Sequence, residues 1–286
     1  MAGNIQWFPG HMAKAQREIE EKIKLVDIVL ELVDARIPLS SINPVFENIL
    51  QNKKKIYIVT KTKMADPAIN EKWLKYYNDN NMPCLLIDSI KGINLNKISV
   101  MAKDILKEKL EKEKARGMKP RPIKTMVIGI PNVGKSTLIN ALVGKKVANT
   151  ANKPGVTKAQ QWIRINKDLD LLDTPGVLPP KFEDKIIGFN LALTGAIRDD
   201  IVLKEDMIFY FLDYLKDKYP SSLEKYGISD NISNLEILEK IGKDNNLYYK
   251  DHADYDRVYE LILNDFRSLR LGLISLEEPK LWKWKE

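Results

Sequence analysis

Six short apolar runs punctuate the first 172 residues: VDIVLELV at 26–33, IYIV at 56–59, CLLI at 84–87, TMVIGI at 125–130, WIRI at 162–165 and LDLL at 169–172. Helical stretches separate the earlier ones. MAKAQREIEEKIKL at 12–25 sets Ile19 and Ile23 four apart among charges, the spacing of one helix face. Strands that alternate with helices build a mostly parallel sheet covered on both faces, so a doubly wound α/β fold is expected. KEKARGMKPRP at 112–122 is basic, carries Gly117, Pro120 and Pro122, and has no apolar face. It reads as a linker between two halves of one sheet domain. From about residue 190 the strand signals stop, and DMIFYFLDYLKD and NLEILEKIG have helical character. The expected division is a sheet domain over 1–189 and a helical domain over 190–286.

A chain of 286 residues buries an adequate core without disulfides or a metal clip. Cys84 is the single cysteine, no apolar run nears the roughly 18–20 residues of a bilayer helix, and the start MAGNIQWFPGHM lacks a signal-peptide pattern. A reducing cytoplasm is the expected setting, with no membrane partner. The formal charge of +7 is unevenly spread: +7 over 1–122, +5 over 123–189 and −5 over 190–286. A basic front and middle attract RNA or nucleotide phosphates, and are equally the composition of a lysine-rich solvated surface.

GIPNVGKS at 129–136 fits the phosphate-loop pattern G-x-x-x-x-G-K-[ST], placed between the strand TMVIGI and the helix-like STLINALVG. In such a loop the backbone N–H groups around Val133, Gly134 and Thr137 close on phosphates. Lys135 pairs with the β and γ oxygens, and the Ser136 hydroxyl ligates magnesium. LDLL then leads into DTPG, placing Asp173 at a strand end where it can hold the metal through water and Gly176 where its N–H can sense a γ-phosphate. PGVT at 154–157 lies between, and Thr157 is positioned to complete the magnesium shell. In this order behind a phosphate loop the two segments indicate a GTPase-type switch.

No base-reading motif follows the phosphate loop. Two candidates precede it: IYIV runs into Thr60, Lys61, Thr62 and Lys63, and CLLI runs into Asp88, Ser89, Ile90, Lys91 and Gly92. Ligands of open α/β sheets bind at the carboxyl ends of strands, where chain order is immaterial. Thr60, Lys61 and Ser89 are therefore candidate nucleotide contacts in a circularly permuted GTPase.

WFPGHM at 7–12, DARIP at 34–38, GIPNVGKST at 129–137, PGVT and DTPG together resemble the ribosome biogenesis GTPase A family over essentially the whole chain. The resemblance implies a bacterial, cytoplasmic GTPase with a helical C-terminal domain. It also implies a large ribosomal subunit partner, with rRNA and ribosomal proteins but no DNA. Two positions depart from the family. Lys63 stands where the family's Asn-Lys-x-Asp has the aspartate that accepts guanine N–H groups, and a cation accepts none, so a weakened guanine preference is expected. Leu273 follows Gly272 where the family usually has a basic residue.

Val177 occupies the place of the water-orienting glutamine of many GTPases and cannot orient water. By itself a lone histidine beside Pro9 and Gly10 is more often a hydrogen-bonded turn residue; the family resemblance implies His11 for the water-orienting role, with a conformational or ribosome-contacting role as the alternative. Asn132 resembles the potassium ligand of cation-dependent GTPases, and is equally suited to a loop-stabilising hydrogen bond. Arg36 reads as one half of a charged pair capping a strand, and His252 as a solvated residue of an acidic loop. Val177 and Lys63 leave open a nucleotide-gated binding module with little turnover; Lys63 alone leaves open an ATP-using phosphotransferase.

Overall fold

The computed structural model describes residues 10–50, 53–144, 162–172, 174, 176–179, 182, 184–229 and 232–279. The described residues run from helix α1 (Gly10–Lys22) through β1 (Ile28–Asp34), α2 (Pro44–Leu50), β2 (Lys54–Thr60), α3 (Pro67–Asp79), β3 (Cys84–Leu86), α4 (Leu95–Ile105) and α5 (Lys107–Ala115). It continues with β4 (Ile123–Gly129), α6 (Lys135–Val143), β5 (Trp162–Arg164) and β6 (Leu169–Leu172). These six strands form one sheet in the order β3-β2-β1-β4-β6-β5, parallel throughout except for antiparallel β5.

Every residue of β1 is buried, as a central parallel strand covered on both faces requires. Successive side chains point to opposite faces. Ile28, Leu30 and Leu32 join Ile98 and Ala102 of α4 and Leu138 and Ile139 of α6 in one apolar cluster. Val29 instead packs with Ile19 of α1 and Phe46 of α2. Val33 packs with Ile69, Trp73 and Tyr77 of α3. The register pairs Asp34 with Thr60 and Leu32 with Gly129, so β1, β2 and β4 end together at one edge.

The expected linker is helical over its first four residues, because Lys, Glu and Ala favour helix even without a buried face. Charge holds it in place. The Asp27 carboxylate accepts from Arg121 and Lys109, both at 2.6 Å, and from the Lys124 N–H at 2.9 Å. Partial burial pushes that carboxyl up, but Arg121 and Lys109 outweigh it and hold it well below the usual range.

The remaining elements are α7 (Lys185–Leu193), α8 (Lys204–Lys218), α9 (Asn234–Asp244), a hairpin of β7 (Tyr248–Tyr249) and β8 (His252–Ala253), and α10 (Tyr255–Arg267). Residue 189 falls inside α7. Ser233 and Glu236 close a capping box at the start of α9. Phe211 of α8 and Phe266 of α10 meet with tilted rings, centroids 4.9 Å apart, in the cluster that also holds the β1 residues. Two-residue strands carry no readable alternation, so the hairpin has no signature in the sequence. His252 is exposed, as expected, and its ring stacks on Tyr255.

After α10 the chain returns to the sheet edge. Leu276 N–H donates to the Arg36 carbonyl at 2.8 Å, and Trp73 Nε1 to the Glu277 carbonyl at 3.0 Å. The buried Glu277 carboxylate accepts from Leu39 N–H at 2.6 Å, from Asn190 at 3.0 Å and from the Ser40 hydroxyl. This strap pins the loop after β1 against α3 and α7. No helix among the described residues is long and apolar enough to cross a membrane.

Candidate functional site

The turn from β4 into α6 has a geometry that its glycines make possible. Gly129 has φ +152°, and a β-carbon there would stand 2.9 Å from the Leu32 carbonyl oxygen. Gly134 has φ +110° and faces Thr60. Between them Asn132 adopts φ 56°, a left-handed conformation that asparagine tolerates better than most residues. The loop wraps the Lys135 side chain, which is buried and donates to the Gly129 and Ile130 carbonyls at 3.1 and 2.8 Å. Ser136 follows in the first turn of α6, partly exposed, its side chain without a hydrogen bond among the described residues. Its hard hydroxyl oxygen is the kind of donor magnesium takes. The N-terminal end of α6 adds N–H groups and the positive end of the helix dipole, which suits an anion.

Gly176 lies against this loop. A β-carbon on it would come within 2.8 Å of the Pro131 Cα and N atoms and 3.0 Å of Lys135 Nζ, so Gly176 approaches the phosphate loop as closely as backbone allows. Val177 is fully buried, and its carbonyl accepts from Asn43 Nδ2 at 3.0 Å. Asp173 and Thr157 lie outside the described residues, as does the side chain of His11, whose backbone is in the first turn of α1.

At the neighbouring strand end the Thr60 hydroxyl donates to the Val133 carbonyl at 2.6 Å. Lys61, in a left-handed conformation with φ 54°, donates to Asp34 Oδ2 at 2.8 Å. Arg36 forms a buried fork with the same carboxylate, Nε to Oδ1 at 3.0 Å and Nη2 to Oδ2 at 2.8 Å, and also donates to the Thr194 carbonyl at 3.3 Å. Burial alone raises the Asp34 carboxyl, but Arg36 and Lys61 reverse this and hold it well below the usual carboxylate range. Arg36 is thus half of a capping pair, as its sequence position suggests. Asp66 caps α3 through Ala68 N–H and accepts from the Tyr219 hydroxyl.

A cavity of about 830 Å³ opens between these parts. Thr60, Lys61, Ser89, Asn132, Gly134 and Thr137 all line it. So do residues that sequence reasoning did not single out: Thr194, Gly195, Arg198, Asp199 and Asp200, with Arg267 behind them. They follow α7 in a segment, TGAIRDD, that carries no motif. Its one legible signal is a pair of acids beside an arginine. Asn132 Nδ2 donates to the Gly195 carbonyl at 2.8 Å, and Arg267 donates to the Ala192 and Leu193 carbonyls at 2.7 and 3.0 Å. The phosphate loop is therefore bonded directly to the segment that follows α7.

The family described as 50S ribosome-binding GTPase matches residues 124–246. Over 279 residues the chain is 48% identical to Ribosome biogenesis GTPase A of Bacillus licheniformis, covering 96% of this chain and 99% of that one. It is 46% identical to the protein of the same name in Priestia megaterium, covering 96% and 97%. The GNP-bound crystal structure of YlqF from T. maritima superposes with a TM-score of 0.65, covering 93% of this chain and 99% of that one; at 22% identity the likeness speaks for the fold. Strands β1 to β3, which precede the phosphate loop in the chain yet lie in the same sheet, together with near-half identity along almost the whole length, make this protein a member of the ribosome biogenesis GTPase A family, hydrolysing GTP on a circularly permuted phosphate-loop fold.

Proposed function

We propose that this GTPase serves assembly of the large ribosomal subunit in the cytoplasm, docking on rRNA and ribosomal proteins in one nucleotide state and leaving in the other. The observation that carries the reading is the bond from Asn132 of the phosphate loop to the Gly195 carbonyl, two residues past α7. A change at the γ-phosphate reaches the helical half through that contact without an intervening linker. The description of the matched family as 50S ribosome-binding supports the choice of subunit. The chain divides functionally at the start of α7, into a GTPase part and a helical part.

Within the site, Lys135 pairs with the β and γ oxygens, and the N–H groups of Val133, Gly134 and Thr137 hold the phosphates. Ser136, Thr157 and Asp173 would hold magnesium, and Gly176 would sense the γ-phosphate. Bound magnesium supplies charge neutralisation on the transferring phosphoryl oxygens. Asn132 Oδ1 remains available for potassium, because the side-chain contact to Gly195 uses only Nδ2. Lys61 and Ser89 frame the base, and Thr60 braces the phosphate loop beside it. His11 orients the attacking water.

Sedimentation with purified subunits tests the proposal. A non-hydrolysable GTP analogue is expected to retain the protein on the large subunit and GDP to release it. Equal retention with both nucleotides, or retention on the small subunit alone, rejects it.

A further inference from the structure

Lys63 leaves the base-reading loop without the carboxylate that guanine needs. Guanine presents N1–H and the N2 amino group side by side, two donors that a carboxylate accepts together, whereas adenine presents an N1 acceptor there. Lys63 is exposed at the cavity and pairs with no carboxylate among the described residues. Three carboxylates line the same cavity: Asp88, Asp199 and Asp200.

Two of them are committed elsewhere. Asp199 is gripped by Arg267, Nη1 to Oδ2 at 3.2 Å and Nη2 to Oδ1 at 2.5 Å, and Arg267 in turn clamps the end of α7. Asp88 shapes its own turn, with Oδ1 accepting the Ile90 and Lys91 N–H groups, both at 3.0 Å. Asp200 is different. Among the described residues its side chain is hydrogen-bonded to Arg198, two residues away, Nε to Oδ1 at 3.0 Å, with Lys204 adding charge at longer range, and both members of the pair are more than half exposed. An exposed pair of this kind holds its members weakly and yields to a better donor set. Arg198 also keeps the Asp200 carboxyl below its ordinary range, so at neutral pH it accepts and does not donate.

We propose that Asp200, reaching into the cavity from the helical half, is the specificity-determining carboxylate that accepts guanine N1–H and N2–H, in place of the aspartate that Lys63 displaces. The assignment rests on the nucleotide site described above, and it reverses the weakened preference that Lys63 alone predicts. It also makes guanine binding depend on the helical half lying over the base. Lys63 complements it, since an ammonium can meet only the acceptors O6 and N7 of guanine.

Titration of the full chain with GDP, ADP and XDP tests this. The wild type is expected to bind GDP about 10²-fold tighter than ADP. Asp200→Asn should lose about 10² in GDP affinity, leave ADP unchanged and gain at least about tenfold for XDP, whose C2 carbonyl accepts from the new amide. Adding Lys63→Asp to Asp200→Asn should restore GDP. An unchanged GDP-to-XDP ratio in Asp200→Asn, the same switch produced by Asp88→Asn, or equal GDP and ADP binding in the wild type overturns the assignment. Wild type that binds no nucleotide, or Lys135→Ala that binds as well as wild type, overturns the reading of the site itself.

Discussion

Thr60 Oγ1 donates to the Val133 carbonyl at 2.6 Å, so the last residue of β2 is bonded to the phosphate loop two residues before Lys135. Position 60, expected to meet the nucleotide directly, spends its hydroxyl on bracing the loop that does. Thr60→Ala should then weaken GDP and ADP alike, about five- to tenfold, the value of one buried hydrogen bond of roughly 1–1.5 kcal/mol. Parallel titrations check this. A loss confined to GDP would place Thr60 on the base.

Arg36 and Asp34 form a buried pair whose side chains are 2% and 3% exposed. Arg36→Ala leaves the buried Asp34 carboxylate with Lys61 as its one remaining cation among the described residues and should lower unfolding stability by about 3 kcal/mol in urea titrations. The same carboxyl carries a pH signature. Its folded pKa is depressed, so its contribution is complete above the unfolded value of about 3.9 and is lost as pH falls below that toward the folded one. The stability difference between wild type and Asp34→Asn should be constant at neutral pH and shrink below about pH 4.

Gly176→Ala places a methyl group 2.8 Å from the Pro131 backbone, which cannot yield as a flexible side chain can. Displacing the segment by a few tenths of an ångström to one ångström should lower single-turnover GTP hydrolysis about 10²-fold. GDP affinity should stay within a few-fold of wild type. Normal hydrolysis would show that the close approach has no part in the reaction.

Potassium should accelerate hydrolysis by the wild type where sodium does not, and Asn132→Ala should abolish the difference. If Asn132 acts only as a strut to Gly195, the variant will be slowed equally in both salts.

His11→Ala should lower hydrolysis by about 10² to 10⁴ with GTP affinity nearly unchanged, the range for a positioned acid–base group. The effect should be largest on the large subunit. Rates equal to wild type there would remove His11 from the mechanism.

By itself the sequence determined the sheet, the phosphate loop and the permuted order, because these are local matters. β-branched runs set strands such as Ile28–Asp34, Gly129 and Gly134 permit a backbone that few other residues adopt, and GKS can be read without knowing what lies opposite it. Tertiary structure alone decided what crosses the edge of that sheet. Arg36 meets the Thr194 carbonyl 158 positions away, Glu277 holds Leu39 and Ser40 from 237 or more positions away, and Asp200 lines the cavity that Lys63 also lines. Hydrogen bonds and ion pairs are made between groups that packing brings within about 3 Å. A carboxylate in TGAIRDD acquires a role only once α7 and the strap at 275–277 have carried its segment over the phosphate loop.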